Sequence, residues 1–127
     1  MSAIAQRPGA RASQEAVLTK AALRAADKLA INQAALASIL GVSEAQVSRM
    51  RRSDYVLHAD TKPFELGVHF VRLFRSLDAI VGGDEAVARA WLVNPNLALD
   101  AKPAEKIRTI AGLMDVVAYL DARRAPL

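Results

Sequence analysis

Gly41 interrupts a short apolar segment, and its surroundings restrict the local fold more than any other position in the chain. The segment from Gln33 to Arg52 reads Q-A-A-L-A-S-I-L-G-V-S-E-A-Q-V-S-R-M-R-R. Asn32 can cap a first helix at its start. Glycine takes the left-handed backbone of a helix end without a Cβ clash, so that helix is predicted to stop at Gly41. Ala37 in its middle is small enough for a second helix to cross closely. The pattern predicts two short helices joined by a tight turn.

The second helix has its own start signal and its own inner face. Ser43 can accept hydrogen bonds from the backbone N–H groups of the next turn, and Gln46 three residues later completes a capping box. Val47 and Met50 share one helix face, where they can meet the apolar side chains of the first helix. Those side chains are Leu36, Ala37 and Leu40. The opposite face is left open.

That open face carries residue types that recognise DNA in the major groove. Arg49 can donate two bonds to a guanine, Ser48 can donate or accept, and the Ala45 methyl can touch a thymine methyl. Other polar side chains nearby suit phosphate oxygens, which set register rather than sequence. The predicted DNA-binding residues are Gln33, Ser43, Glu44, Ala45, Ser48, Arg49, Arg51 and Arg52, of which the first and the last two are assigned to phosphate. The alternative is an ordinary helix pair with a solvated basic face, and the combined spacing of Ala, Gly, Ser and Val favours DNA binding.

The excess of positive charge lies in the same half of the chain. The net charge is +4. Residues 1–63 hold nine Lys or Arg and five Asp or Glu, whereas residues 84–127 hold six of each. Attraction to phosphate is the direct physical consequence of such a basic region. The charge distribution therefore agrees with a DNA-reading first half.

Composition excludes several other classes of protein. The chain has no cysteine, which excludes a disulfide framework and a thiolate metal site and agrees with a reducing cytoplasm. No segment resembles a signal peptide or a membrane span. His58 and His69 stand apart, without the convergent groups that catalysis or metal binding needs. We therefore predict a soluble, cytoplasmic protein with no enzymatic activity, no cofactor, no metal and no membrane partner.

Helical periodicity without any strand signal predicts an all-α fold. We expect an N-terminal helix-turn-helix domain and a small C-terminal helical domain. The predicted boundaries are 1–13 for a flexible arm, 14–63 for the helix-turn-helix domain, 64–83 for a central helix and 84–127 for the C-terminal domain. The apolar stripe of the central helix is wider than one face. It fits either a core helix with partners on several sides or a helix that also forms a homodimer interface, and both can hold.

Turn and cap residues divide the last part of the chain. Gly82 and Gly83 stop the central helix, and Asp84 can cap a helix over Glu85–Val93. Leu97 and Leu99 can pin the following loop to the core. Pro103 is predicted to open one last helix. Its predicted apolar side consists of Ile107, Ile110, Ala111, Met114, Val117 and Leu120.

The second half of the chain resembles the C-terminal domain of the Xre/MbcA/ParS antitoxins. The resemblance rests on W-L, P-N and P-x-x-x-I-x-T-x-x-G patterns in a fixed order. The residues that carry it are Asp84, Glu85, Ala86, Trp91, Leu92, Pro95, Asn96, Leu99, Pro103, Ile107, Thr109, Gly112, Val116 and Leu120. With the preceding helices, it covers the chain from about Gln14.

This resemblance implies a function that the residue pattern alone does not show. Members are dimeric, all-helical proteins that bind a RES-domain toxin, an enzyme that destroys NAD, and that repress their shared operon. It implies that the second domain contacts the toxin through the loop around residues 94–102, the last helix and the tail, and that its end obstructs the NAD site. The predicted toxin-binding residues are Asn94, Asn96, Lys102, Arg123, Arg124 and Leu127. Capping of the helix dipole is the alternative role for the two arginines, and Trp91 is expected in the core.

A second function stays open at this point. A dimeric transcriptional repressor of phage or stress type, with no toxin partner, would share every DNA-reading residue. In such a protein the second half would serve only for dimerisation or ligand binding. The two functions differ only in what the C-terminal domain binds.

Overall fold

A computed structural model describes residues 8–124, and in that range the fold consists of seven α-helices joined by turns. They are α1 (Pro8–Lys28), α2 (Gln33–Leu40), α3 (Glu44–Arg51), α4 (Lys62–Ile80), α5 (Glu85–Val93), α6 (Pro103–Lys106) and α7 (Ile110–Arg124). An isolated antiparallel bridge joins Asn96 and Ala101. The predicted all-α class is confirmed. None of these seven helices combines the length and apolarity that crossing a bilayer requires.

Helix α1 begins six residues earlier than predicted. The prediction of a flexible arm is therefore wrong for residues 8–13, and residues 1–7 lie outside the described range. Pro8 supplies the backbone angle that a first helical turn needs. One turn later, Arg11 forms an ion pair with Asp60 in the loop before α4. The exposed side chains of this turn left no apolar periodicity by which the sequence could reveal it.

Two side chains of α1 hold the loop that leads into α4. Glu15 Oε2 accepts a hydrogen bond from the backbone N–H of Ala59 at 2.6 Å. The hydroxyl oxygen of Thr19, a buried residue, accepts from the N–H of Leu57 at 2.9 Å. Because the loop's backbone is satisfied by α1, it can lie against the core without losing hydrogen bonds.

Helix α4 is packed on several sides by the rest of the chain. It contacts α1, α2, α5 and α7. It begins at the Thr61 cap with Pro63 in its first turn, and Gly82 and Gly83, which were predicted to stop it, follow it with positive φ. Its buried residues are Leu66, Gly67, Phe70, Val71, Leu73, Ser76 and Leu77. Packing within one chain thus covers most of the wide apolar stripe, but Val68 and Ile80 stay exposed. The homodimer interface on this helix stays a prediction.

The C-terminal helical segment is broken where one continuous helix was expected. Helix α6 ends at Lys106, and α7 begins at Ile110. The Thr109 hydroxyl accepts a hydrogen bond from the N–H of Gly112 at 3.1 Å, which caps the new helix. At Gly112 the carbonyl oxygen of Lys106 lies 1.8 Å from the position that a Cβ would occupy. The corner therefore depends on a glycine, and the T-x-x-G pattern was the signal for it.

This break changes which residues face the core, so the predicted apolar side is partly wrong. Ile107, Val117 and Leu120 are buried as expected. Ile110, Ala111 and Met114 are exposed instead. The α7 side chains that take their place in the core are those of Leu113 and Val116, and Gly112 is buried beside them in sequence. The prediction assumed one continuous helix through residues 107–109. It therefore could not foresee that the buried face shifts after the break.

The loop before α6 is held to the core by one leucine rather than two. Leu99 is buried, as predicted. Leu97 is 99% exposed, so its predicted role as a second anchor is wrong. The backbone of Asn96 pairs with that of Ala101, which closes the loop and leaves Leu97 near its tip.

The α6–α7 corner yields a stability prediction. Gly112→Ala should lower the free energy of unfolding by about 2 kcal/mol or more, because the added methyl meets a backbone carbonyl that cannot move without distorting the corner. Urea unfolding followed by circular dichroism measures the change. Gly9→Ala is the matched control, since its Cβ meets nothing within 4 Å; it should be neutral or stabilise by up to about 1 kcal/mol. Equal stabilities of the two variants would contradict the tight corner.

Candidate functional site

The turn between α2 and α3 has the local geometry predicted from the sequence. The Asn32 side chain accepts from the N–H of Ala35 at 2.8 Å and caps α2. Gly41 adopts φ +70°, and its N–H and that of Val42 both reach the carbonyl of Ala37. This left-handed ending gives the Ala37 carbonyl two donors and turns the chain towards α3.

Helix α3 starts with the predicted capping box. The Ser43 hydroxyl accepts from the N–H of Gln46 at 3.1 Å, and the Gln46 side chain accepts from the N–H of Ser43 at 2.9 Å. The Ser43 hydroxyl oxygen also lies 3.3 Å from the amide oxygen of Gln46. Ser43 was predicted to bind DNA; in the free protein its side chain fixes the start of α3. Glu44 follows it as an exposed acidic residue in the first turn.

The inner faces of α2 and α3 form the predicted shared core. Val47 and Met50 are buried on α3. Their counterparts on α2 are Leu36, Ala37, Ile39 and Leu40. Helix α3 also contacts α1, so three helices support the unit. Burial of this face determines which side of α3 is left outward.

The outward face of α3 presents one arginine without a partner. Ala45 and Arg49 are exposed, and Ser48 is half-buried. Within residues 8–124 the Arg49 guanidinium has neither an ion pair nor a hydrogen-bond acceptor. A guanidinium in this state keeps all its donors for an external ligand, with no internal bond to break first.

Gln33 joins the two helices of the unit. Its Nε2 donates to the carbonyl oxygen of Glu44 and to the hydroxyl of Ser48, each at 3.0 Å. The amide therefore fixes the start of α2 against the outward side of α3. Sequence analysis assigned Gln33 only to phosphate and missed this link, because it spans 15 residues and no local pattern marks it.

The two other arginines of α3 are paired within the chain. The Arg51 guanidinium contacts both carboxylate oxygens of Asp27 on α1, at 3.0 and 3.4 Å. Arg52 Nε lies 3.3 Å from an Asp54 oxygen in a largely exposed pair. Their predicted phosphate contacts remain predictions. Arg51 also attaches α3 to α1, a role for which the sequence gave no signal.

The polar residues predicted at the 94–102 loop have different structural roles. Asn96 shapes the loop: its Oδ1 accepts from the N–H of Leu99 at 3.1 Å, and its backbone pairs with Ala101. Asn94 and Lys102 are exposed at the two ends of the loop. These last two side chains face solvent and can form part of a polar rim around a partner.

The end of α7 is attached to α4 by a polar cluster. Ser76 is fully buried, and its hydroxyl donates to Asp121 at 3.0 Å and accepts from Arg124 at 3.3 Å. Arg72 adds an ion pair to Asp121 at 2.7 Å. Arg124, predicted to contact a toxin, therefore already has a hydrogen-bond partner within its own chain. Leu127, also predicted, lies outside the described residues.

An aromatic stack lies beside this cluster. Trp91 and Tyr119 stack with ring centroids 6.2 Å apart, and both are half-buried against the core. Trp91 thus packs against the core rather than inside it, so the expectation of a core position is met only in part. Tyr119 makes a second contact, with the Arg123 guanidinium, which lies 4.6 Å from the centre of the ring. Arg123 is exposed and remains accessible to a partner.

Helix α5 exposes an apolar strip that sequence analysis missed. Val87, Ala90 and Val93 are exposed at intervals of three residues, and Val93 reaches 59%. The exposed Leu97 follows in the next loop. An uncharged strip of this kind on a small domain is typical of a protein–protein contact. The sequence signal was that every residue of α5 other than Glu85 and Arg89 is apolar.

Two family models match the chain. A model described as the antitoxin Xre-like helix-turn-helix domain matches residues 8–72, more than half of the chain. A model described as the antitoxin Xre/MbcA/ParS C-terminal toxin-binding domain matches residues 76–125. Both are regulatory domains rather than enzymes. A search of curated proteins gives no match.

Proposed function

The chain belongs to the Xre/MbcA/ParS-type antitoxins, and we propose that it inhibits a RES-domain, NAD-degrading toxin and represses its own operon. A toxin-binding domain and a DNA-binding helix-turn-helix domain in one chain support an antitoxin that binds both a toxin and DNA. The RES identity of the toxin and the obstruction of its active site rest on the family resemblance. The observation that carries the proposal is that the outward side of α3 and the apolar strip of α5 are both left open.

Arg49 is the residue proposed to read a base. It is exposed on α3 and unpaired among residues 8–124, and α3 is held in place by the capping box and by Gln33. Such a helix can enter the major groove, where arginine donates two bonds to the O6 and N7 atoms of guanine. Ala45 and Ser48 stand beside it. We further propose a homodimer that reads two half-sites about 34 Å apart along the duplex.

Arg49→Ala should weaken binding to the operator by about 1–3 kcal/mol and relax the sequence preference at one position, because a bidentate base contact is lost. Titration of operator and scrambled duplexes by fluorescence anisotropy measures both effects. Arg52→Ala is the matched control at the end of the same helix, and it should weaken the two duplexes equally. An Arg49→Ala variant that loses the same affinity on both duplexes would make Arg49 a phosphate contact.

The apolar strip of α5 and Leu97 is the surface proposed to bind the toxin. Leu97 offers a large apolar side chain fully to solvent, from a loop closed by hydrogen bonds of Asn96. An anchor on a preorganised loop loses little conformational entropy on binding. Asn94 and Lys102 flank it as polar groups, which is the arrangement of an apolar centre and a polar rim.

Leu97→Ser should weaken the complex with the toxin encoded beside the antitoxin gene by about tenfold or more, since an interface anchor contributes on the order of 2 kcal/mol. Co-purification and calorimetric titration measure the loss. Leu97→Met is the matched control and should retain binding, because it keeps an apolar side chain of similar size. Both variants should unfold like the wild type, as the side chain is exposed. Full binding by the serine variant would remove Leu97 from the interface.

Obstruction of the toxin's active site is proposed for the end of the chain. Arg124 is attached to Ser76, and Arg123 lies exposed one residue earlier. The tail therefore continues from the end of a helix that is bound to the core. A short tail acting in this way would block the active site without supplying most of the binding energy.

A chain that ends after Arg124 should still bind the toxin but should inhibit it less. The reason is that the strip of α5 remains, whereas residues 125–127 are removed. NAD consumption by the purified complex, measured beside the affinity, separates the two effects. Loss of neither binding nor inhibition would exclude obstruction by the tail. If the full chain failed to bind the toxin encoded beside its gene, the alternative function would be favoured, that of a transcriptional repressor without a toxin partner.

A further inference from the structure

An apolar groove runs between α1 and α4, on the helix-turn-helix half of the molecule. Two adjoining cavities of about 660 and 490 Å³ form it, and Val17, Ala21 and Val71 line both. Val17 is 65% exposed, although it lies in the middle of a long helix. Val68 and Phe74 extend the apolar floor along α4. Neither surface assigned above includes these residues.

Cations stand on both sides of this floor. Lys20 and Arg24 belong to α1, and Arg75 to α4. All three are exposed, and none has an ion-pair partner among residues 8–124. The one carboxylate that lines the groove, Asp27, is already bound to Arg51. The groove therefore combines an apolar floor with uncompensated positive charge.

We infer that this groove binds an acidic amphipathic helix of a partner protein. Such a helix would bury its apolar side on Val17, Val68 and Phe74 and direct its carboxylates to the cations on both banks. Along α1 the lining residues extend from Gln14 to Asp27. At 1.5 Å per residue this span is about 20 Å, which accommodates a helix of about 14 residues.

Other occupants fit the charges less well. In a two-fold symmetric dimer the same patch meets itself, so the patch with Lys20, Arg24 and Arg75 would face a patch that carries the same three cations. The segments of the chain outside the described range, residues 1–7 and 125–127, contain no aspartate or glutamate. A nucleic acid backbone could use the cations but would leave the apolar floor uncovered. An acidic helix matches both features.

The test uses the full chain and a labelled peptide of about 14 residues, with leucines along one helical face and glutamates elsewhere. Fluorescence anisotropy at physiological salt measures binding. The peptide should bind the wild type, and the same peptide with lysine in place of glutamate should not. Arg75→Glu should weaken binding by about tenfold through repulsion, and Val17→Ser should weaken it through loss of apolar contact. Lys62→Glu, the same charge change on α4 outside the groove, should have little effect.

Several results would overturn the inference. The first is that the acidic and basic peptides bind equally well. The second is that Arg75→Glu binds the acidic peptide as well as the wild type does. The third is that Arg75→Glu and Lys62→Glu lose the same affinity for that peptide. A change in sedimentation mass caused by Arg75→Glu would assign the groove to a second copy. Weaker duplex binding by that variant would assign it to nucleic acid. Leu97→Ser should keep full peptide affinity, so the groove and the proposed toxin contact can fail independently.

Discussion

Burial of α4 is the interaction on which both halves of the molecule depend. Near its start, a Cβ at Gly67 would lie 3.1 Å from the Leu57 side chain and 3.4 Å from that of Leu18, so the early part of α4 is pressed against α1 and its loop. Near its end, Ser76 is bound to α7 through Asp121. Each large side chain buried between contributes about 1.5–3 kcal/mol. The two family matches meet at residues 72–76, inside this helix, so both halves share it.

Polar contacts fix the C-terminal helices against the DNA-reading half. The Arg89 side chain donates to the carbonyl oxygen of Lys28 at 2.9 Å, which satisfies the end of α1. Arg108 donates to the hydroxyl of Ser38 on α2 at 3.3 Å. Such bonds contribute only about 0.5–1.5 kcal/mol each. Their main effect is orientation, since they hold the toxin-binding domain and the helix-turn-helix domain at fixed positions on one core.

Local signals in the sequence predicted the parts of the fold that depend on neighbouring residues. The Gly41 turn, the Ser43 capping box and the Asp84 cap each involve groups three or four positions apart, so a short pattern contains all the partners. The link from Gln33 to Ser48 and the pair of Arg51 with Asp27 join residues far apart in the chain. Which donors and acceptors meet at that range is decided by helix packing, and no spacing encodes it. The exposed side of α5 escaped prediction for the same reason, because a helix whose residues other than Glu85 and Arg89 are all apolar does not reveal which apolar face is covered.

The three open surfaces differ in chemistry, and that difference determines which partner each can take. The outward side of α3 offers an unpaired guanidinium and small side chains, which suits a polar, anionic duplex that presents hydrogen-bond acceptors. The strip on α5 is apolar and uncharged, so it gains by excluding water and has little attraction for phosphate. The groove between α1 and α4 has both an apolar floor and cations, and it demands a ligand that is apolar on one side and acidic on the other. Because each surface penalises the ligands of the other two, one small chain can present all three with little competition between them.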